Sequence, residues 1–150
     1  LQDIKAKEIM RVNPVIVGID APLDVVAQAI IKGNMGCVLV QQEGKVVGII
    51  TERDVVKKLA LGADVKNVKS GSIMSTPIIA IDPETTIEEA LKLMAQNGIR
   101  RLPVVSDGKL LGVVVLEDLA VAIAQKELGL SALVEAIAKQ TEQREKMWFA

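Results

Sequence analysis

GIITERD (residues 48–54) and GVVVLED (residues 112–118) are one motif written twice, 64 residues apart. The same offset carries Gly44–Lys45 onto Gly108–Lys109, Val40 onto Val104, and Ile9–Met10 onto Ile73–Met74. Pro14 and Pro77 are 63 apart, so one residue slips between the methionine and the proline. A unit of about 60 residues buries little apolar surface alone, so the two copies are expected to share a core.

Each copy reads as β-α-β-β-α. Pro14–Val17 and Pro77–Ala80 are short β-prone segments. Leu23, Val26, Ala27 and Ile30 have helical spacing, as do Ile87, Leu91 and Met94 with Ala90 beside them. In the second copy Thr85 and Glu88 form a candidate capping box; in the first, Pro22 suits the opening helical turn. Gly33–Asn34 and Asn97–Gly98 are the expected stops. Strands are expected over 37–41 and 46–51, and over 102–105 and 110–115, each pair joined by a glycine-containing turn. Second helices follow at 53–61 and 117–127. The predicted division is 4–62 for the first repeat, 63–71 for a polar linker, 72–127 for the second repeat and 128–150 for a tail. In the tail, Leu130, Leu133, Val134 and Ile137 predict an extra helix over 130–146, ahead of Trp148 and Phe149. Packing back onto the body and docking a partner are both open readings of that tail.

Composition removes several function classes. The chain of 150 residues has no histidine and one cysteine, Cys37. That argues against a zinc or iron–sulfur site and against the commonest general base. A single cysteine forms no intrachain disulfide, which fits a cytoplasmic setting. Net charge is −1, which disfavours non-specific binding to nucleic acid or an anionic membrane. Charges, Gly or Pro interrupt every apolar run before it reaches the length of a membrane span. Gly44–Lys45 lacks the flanking pattern of a P-loop, and Gly33-Asn-Met-Gly36 lacks the order and charge of a nucleic-acid loop. Asp54 and Asp118 occupy equivalent places in different repeats, not a catalytic pair. No catalysis is expected.

The ordered set of motifs resembles a tandem pair of CBS domains, the module named after cystathionine β-synthase. The resemblance covers about residues 4–126. Ile9–Met10 and Ile73–Met74 with their following prolines resemble the family's opening motif. GIRRLPVVSDGKLLGVV (residues 98–114) reads like a family consensus, and GIITERD fits the nucleotide motif G-h-x-[ST]-x-x-D, with h apolar. The resemblance implies an α+β fold: two β-α-β-β-α repeats packed about a pseudo-twofold axis, often dimerised. It implies adenosine-type ligands in the clefts between repeats.

The residues themselves leave two readings of GIITERD. Thr51 and Asp54 suit a capping arrangement at a helix N-terminus. The same corner suits a ribonucleotide: the helix terminus and the Thr51 hydroxyl face a phosphate, and Asp54 accepts from the 2′ and 3′ hydroxyls. Gly48 allows close approach of backbone or ligand. In the second repeat Val115 cannot donate, whereas Asp118 is retained. Arg100 and Arg101 are candidates for the missing phosphate contact, with Gly36 and Cys37 at the equivalent positions. Asn13, Pro14, Val15, Thr76, Pro77, Ile78, Met35 and Ile99 are candidates for an adenine slot, and each is equally a core residue.

The expectation is a non-catalytic sensor module for AMP, ADP, ATP or S-adenosylmethionine, with no required cofactor or metal, working as a homodimer. The rival reading is a ligand-free dimerisation or docking module using the tail. Nucleic-acid binding is disfavoured further by the near-absence of aromatic residues.

Overall fold

A computed structural model describes residues 4–127 and Glu142. The helix expected over 130–146, with Trp148 and Phe149, lies outside the described residues. The first repeat supplies α1 (Ala6–Ile9), β1 (Arg11–Val12), β2 (Ile16–Gly18), α2 (Leu23–Gly33), β3 (Cys37–Gln42), β4 (Lys45–Thr51) and α3 (Glu52–Ala60). The second supplies α4 (Ser70–Ile73), α5 (Ile87–Asn97), β5 (Arg101–Ser106), β6 (Lys109–Val115) and α6 (Leu116–Glu127).

Local chemistry explains most boundaries. Both hairpins turn on two residues of positive φ, Glu43–Gly44 and Asp107–Gly108. Two positive φ angles match the twist of the flanking strands. Helices α2 and α5 stop where expected, with Asn34 and Gly98 in the left-handed conformation.

Two expectations need correction. Helix α5 is capped by Thr86 and Glu89, one residue beyond the expected Thr85 and Glu88. The Thr85 hydroxyl is already committed to the preceding turn, where it accepts from the Asp82 N–H at 3.1 Å. The expected strand at 77–80 does not form; the parallel bridge of this repeat is made by Ile81 with Val104. The chain turns at once at Asp82, whose carboxylate accepts from the Glu84 N–H, so a single residue reaches the sheet edge. Its counterpart is a true strand, but displaced from 14–17 to 16–18. Pro14 has no N–H to donate, and Asn13 has a positive φ of 56°.

The sheets are β2-β3-β4 and β1-β6-β5. Strand β1 opens the first repeat yet completes the sheet of the second, pairing Arg11 with Val113. Ser75, at the offset of 64 from Arg11, pairs in return with Ile49, which stands at the same offset from Val113. This exchange of arms is reciprocal, as a twofold relation between the repeats requires. The arms set the glycines of the motif. A Cβ on Gly48 would lie 2.4 Å from the Met74 sulfur, and one on Gly112 would lie 2.5 Å from the Arg11 carbonyl oxygen.

Strand alternation divides the core into three layers. Val38, Val40 and Ile50 face Val26, Ile30 and Val55 of the first repeat's helices. Leu102, Val104 and Val114 face Ile87, Ala90, Met94 and Leu119. The opposite sheet faces meet at a central seam, where Met35, Cys37 and Leu39 pack on Val113 and Val115.

Candidate functional site

The seam carries one acid from each repeat, and the two are held differently. Asp54 stands in the first turn of α3. Its Oδ2 accepts from the Thr51 N–H at 2.8 Å and from the Thr51 hydroxyl at 3.0 Å. The Asp54 N–H donates back to Thr51 Oγ1 at 3.4 Å. Two orphan N–H groups of the helix start are thereby satisfied. Among the described residues no cation pairs with Asp54.

Asp118 is gripped by an arginine. Arg11 donates from Nε to Oδ2 at 2.8 Å and from Nη2 to Oδ1 at 3.0 Å. Its Nη1 donates to the Asn34 carbonyl at 2.8 Å. Both side chains of the pair are about one-third exposed. A two-pronged bridge of this kind fixes geometry as well as charge.

Arg101 binds the next residue of the same loop. It is the first residue of β5, pairs with Val115, and reaches across the seam to donate from Nε to the Met35 carbonyl at 2.8 Å. Its guanidinium covers Gly36, where a Cβ would meet Nη2 at 2.1 Å. Arg100 is exposed, and its carbonyl accepts from the Leu116 N–H. The two arginines therefore differ: one is tied into the seam, and the other presents a side chain to solvent.

The other candidates scatter in role. Met35 is buried in the seam cluster. Val15 is packed against the helix at Gly33, and Ile99 packs partly buried against the second repeat's core. Pro14 and Ile78 are half-buried, while Asn13, Thr76 and Pro77 are exposed. The Thr76 hydroxyl donates to the Val47 carbonyl at 2.8 Å, and Gly48 is covered by Met74 of the exchanged arm. Cys37 pairs with Thr51 across β3 and β4. Burial is the main reason its thiol is pushed up to about 11, although Arg101 and Arg11 oppose the shift.

Arg11 was not among the sequence candidates. It lies outside the repeated motif, and its mate at the offset is Ser75, so repetition gave no warning of it. The clue available was its place directly after Ile9–Met10, the segment that the fold exchanges.

This architecture is that of a duplicated α+β scaffold: two three-stranded sheets, back to back, with an acid at the start of the last helix of each repeat. A family profile for the CBS domain matches residues 6–61 and again 68–125, and the chain belongs to the CBS-domain family. An uncharacterised protein of Methanopyrus kandleri is 41% identical over 71% of this chain and 53% of its own length. The CBS domain-containing protein YhcV of Bacillus subtilis is 40% identical over 67% of this chain and 71% of its own. The chain thus spans about half the length of the Methanopyrus relative. The CBS domain pair of protein MJ0100, solved with 5′-methylthioadenosine and S-adenosyl-L-methionine, superposes with a TM-score of 0.73 at 27% identity, covering 83% of this chain and 98% of that one. No helix among the described residues is long and apolar enough to cross a membrane.

Proposed function

We propose that this chain is a non-catalytic regulatory module that binds an adenosine-type ligand (AMP, ADP, ATP or S-adenosylmethionine) at the seam between its repeats. The observation that carries the reading is the corner of Thr51 and Asp54. A hydroxyl and a carboxylate 3.0 Å apart sit at the start of α3, beside the seam. The Thr51 hydroxyl turns from Asp54 to a phosphate, which frees a carboxylate lone pair for the ribose diol. The N–H groups of the first turn add positive potential for the phosphate. The MJ0100 pair holds two adenosine-type ligands, which supports the ligand class. Arg100 supplies a solvent-facing cation for a phosphate. Half-buried Pro14, Val15, Ile78 and Ile99 offer aliphatic surface for the base. The reader of the bound state is a second copy in the cytoplasm; exposed Val56 and Leu59, three residues apart on α3, support such a contact. Binding changes function to the extent that the ligand prefers one arrangement of the repeats.

A thermal-shift panel tests this reading: AMP, ADP, ATP, S-adenosylmethionine and 2′-deoxy controls. At a hundredfold excess over Kd a ligand adds about 2.7 kcal/mol, or roughly 5–11 °C at this length. A shift with a ribonucleotide that the deoxy control loses is expected. No shift and no calorimetric heat with any of them refutes the proposal.

A further inference from the structure

The repeat offset gives each seam residue a counterpart, and three substitutions fall together. Thr51 corresponds to Val115, Cys37 to Arg101, and Ser75 to Arg11. The first repeat's set therefore has a hydroxyl on Asp54, with a thiol and a small exposed serine at the offset positions. The other has no hydroxyl, one arginine on Asp118 and a second on the Met35 carbonyl. Both oxygens of Asp118 already accept from one guanidinium, which is what a vicinal diol would ask of them. The same guanidinium ties Asp118 to the Asn34 carbonyl, and Arg101 ties β5 to the next carbonyl, that of Met35. The loop at 34–36 is thus held by two arginines, while its counterpart, Gly98 to Arg100, has only Ser75 and Cys37 at the corresponding places.

We propose that Arg11 is a built-in occupant of the Asp118 corner, so that each chain takes one adenosine-type ligand, at Asp54. The inference rests on the ligand class proposed above and adds the number of sites, their identity and the residue that decides it. A corner that accepts ligand only while its bridge is open binds more weakly in inverse proportion to the fraction of time it is open. Arg11 comes from the exchanged arm, so closing the Asp118 corner also fastens the first repeat's opening segment to the second repeat.

Isothermal titration of the full chain with AMP and, separately, with S-adenosylmethionine tests it. Wild type is expected to bind one ligand per chain, and Asp54→Asn to bind none. Arg11→Ser, which copies the counterpart Ser75, should raise the stoichiometry to two. The Arg11→Ser/Asp54→Asn double variant should keep one, and Arg11→Ser/Asp118→Asn should return to one. Should the serine variants fail to fold, Arg11→Gln is shorter but still polar, removes the charge, and must likewise raise the stoichiometry. Two sites in wild type, or one site in all Arg11 variants, overturns the inference while leaving the ligand class intact. No heat from either ligand in wild type and in the Arg11 variants overturns both.

Discussion

Gly112→Ala should loosen the arm that the first repeat lends to the second. The new Cβ would sit 2.5 Å from the Arg11 carbonyl oxygen and 3.0 Å from the Met10 sulfur. The sulfur belongs to a flexible side chain and can move; the carbonyl is backbone. Relief therefore requires a shift of roughly 1 Å in β1 to reach ordinary van der Waals contact. Strand β1 is held by only two residue pairs, Arg11 with Val113 and Val12 with Gly112. A shift there also drags the Arg11 guanidinium from Asp118, now at 2.8 and 3.0 Å. Overpacking of this kind costs about 1–3 kcal/mol. Weakening a one-third-exposed ion pair adds no more than about 1 kcal/mol after solvent screening. The expected loss is about 2–3 kcal/mol, or a fall in Tm of roughly 4–12 °C. Urea unfolding should show a lower midpoint at unchanged m-value. Gly18→Ala is the control, because nothing lies within 4 Å of its Cβ position, and it should stay within about 0.5 kcal/mol of wild type. A Gly112→Ala protein as stable as the Gly18→Ala control would refute the exchanged-arm reasoning.

Removing the cap hydroxyls separates structure from binding. Thr86→Ala should cost about 1 kcal/mol in unfolding experiments and leave ligand shifts unchanged. Thr51→Val should cost a similar amount and also weaken phosphorylated ligands more than adenosine; equal weakening of both would leave only the cap. Cys37 should resist alkylation in the native protein at pH 8 and react on unfolding, because its thiol is pushed up to about 11. The sign is that of a raised acid: the folded state keeps the proton that the unfolded chain releases, so this contribution is complete below pH ~9 and declines as pH rises toward 11. Native-state alkylation at pH 8 as fast as that of the unfolded chain would contradict the burial.

The α-β-β-α order was legible because each repeat checks the other. Glu43–Gly44 and Asp107–Gly108 mark the same hairpin twice, and Asn34 and Gly98 end the same helix. What failed was local competition. Thr85 and Thr86 are adjacent, and either can cap; the Asp82 turn chose between them. The exchange of arms was not legible, since Arg11 and Ser75 pair with strands of the other repeat and leave no short-range pattern. Its traces were visible only as fragments: Ile-Met before each arm and glycine at each motif start. The candidate site divides in the same way. Thr51 and Asp54 are close in sequence and their geometry followed from a helix start. Arg11 and Asp118 are 107 residues apart, and only the exchanged arm brings them together.

The missing hydroxyl at Val115 thus has a physical counterpart rather than a gap. A carboxylate at a half-buried helix start needs donors, and the two repeats supply them by different means. At Asp54 they are its own cap, an amide and a hydroxyl; at Asp118 they include an arginine from another element. Turning one hydroxyl away from Asp54 gives up a single charge-assisted bond of about 1.5–3 kcal/mol net, which a phosphate oxygen of the proposed ligand, itself charged, would replace. Opening Asp118 gives up two charge-assisted bonds from one guanidinium. The first exchange is nearly balanced at every step, and the second is not. The replacements around two equivalent acids thus leave Asp54 held by its own cap, the corner the proposed ligand would enter, and make Asp118 a fastening between the repeats.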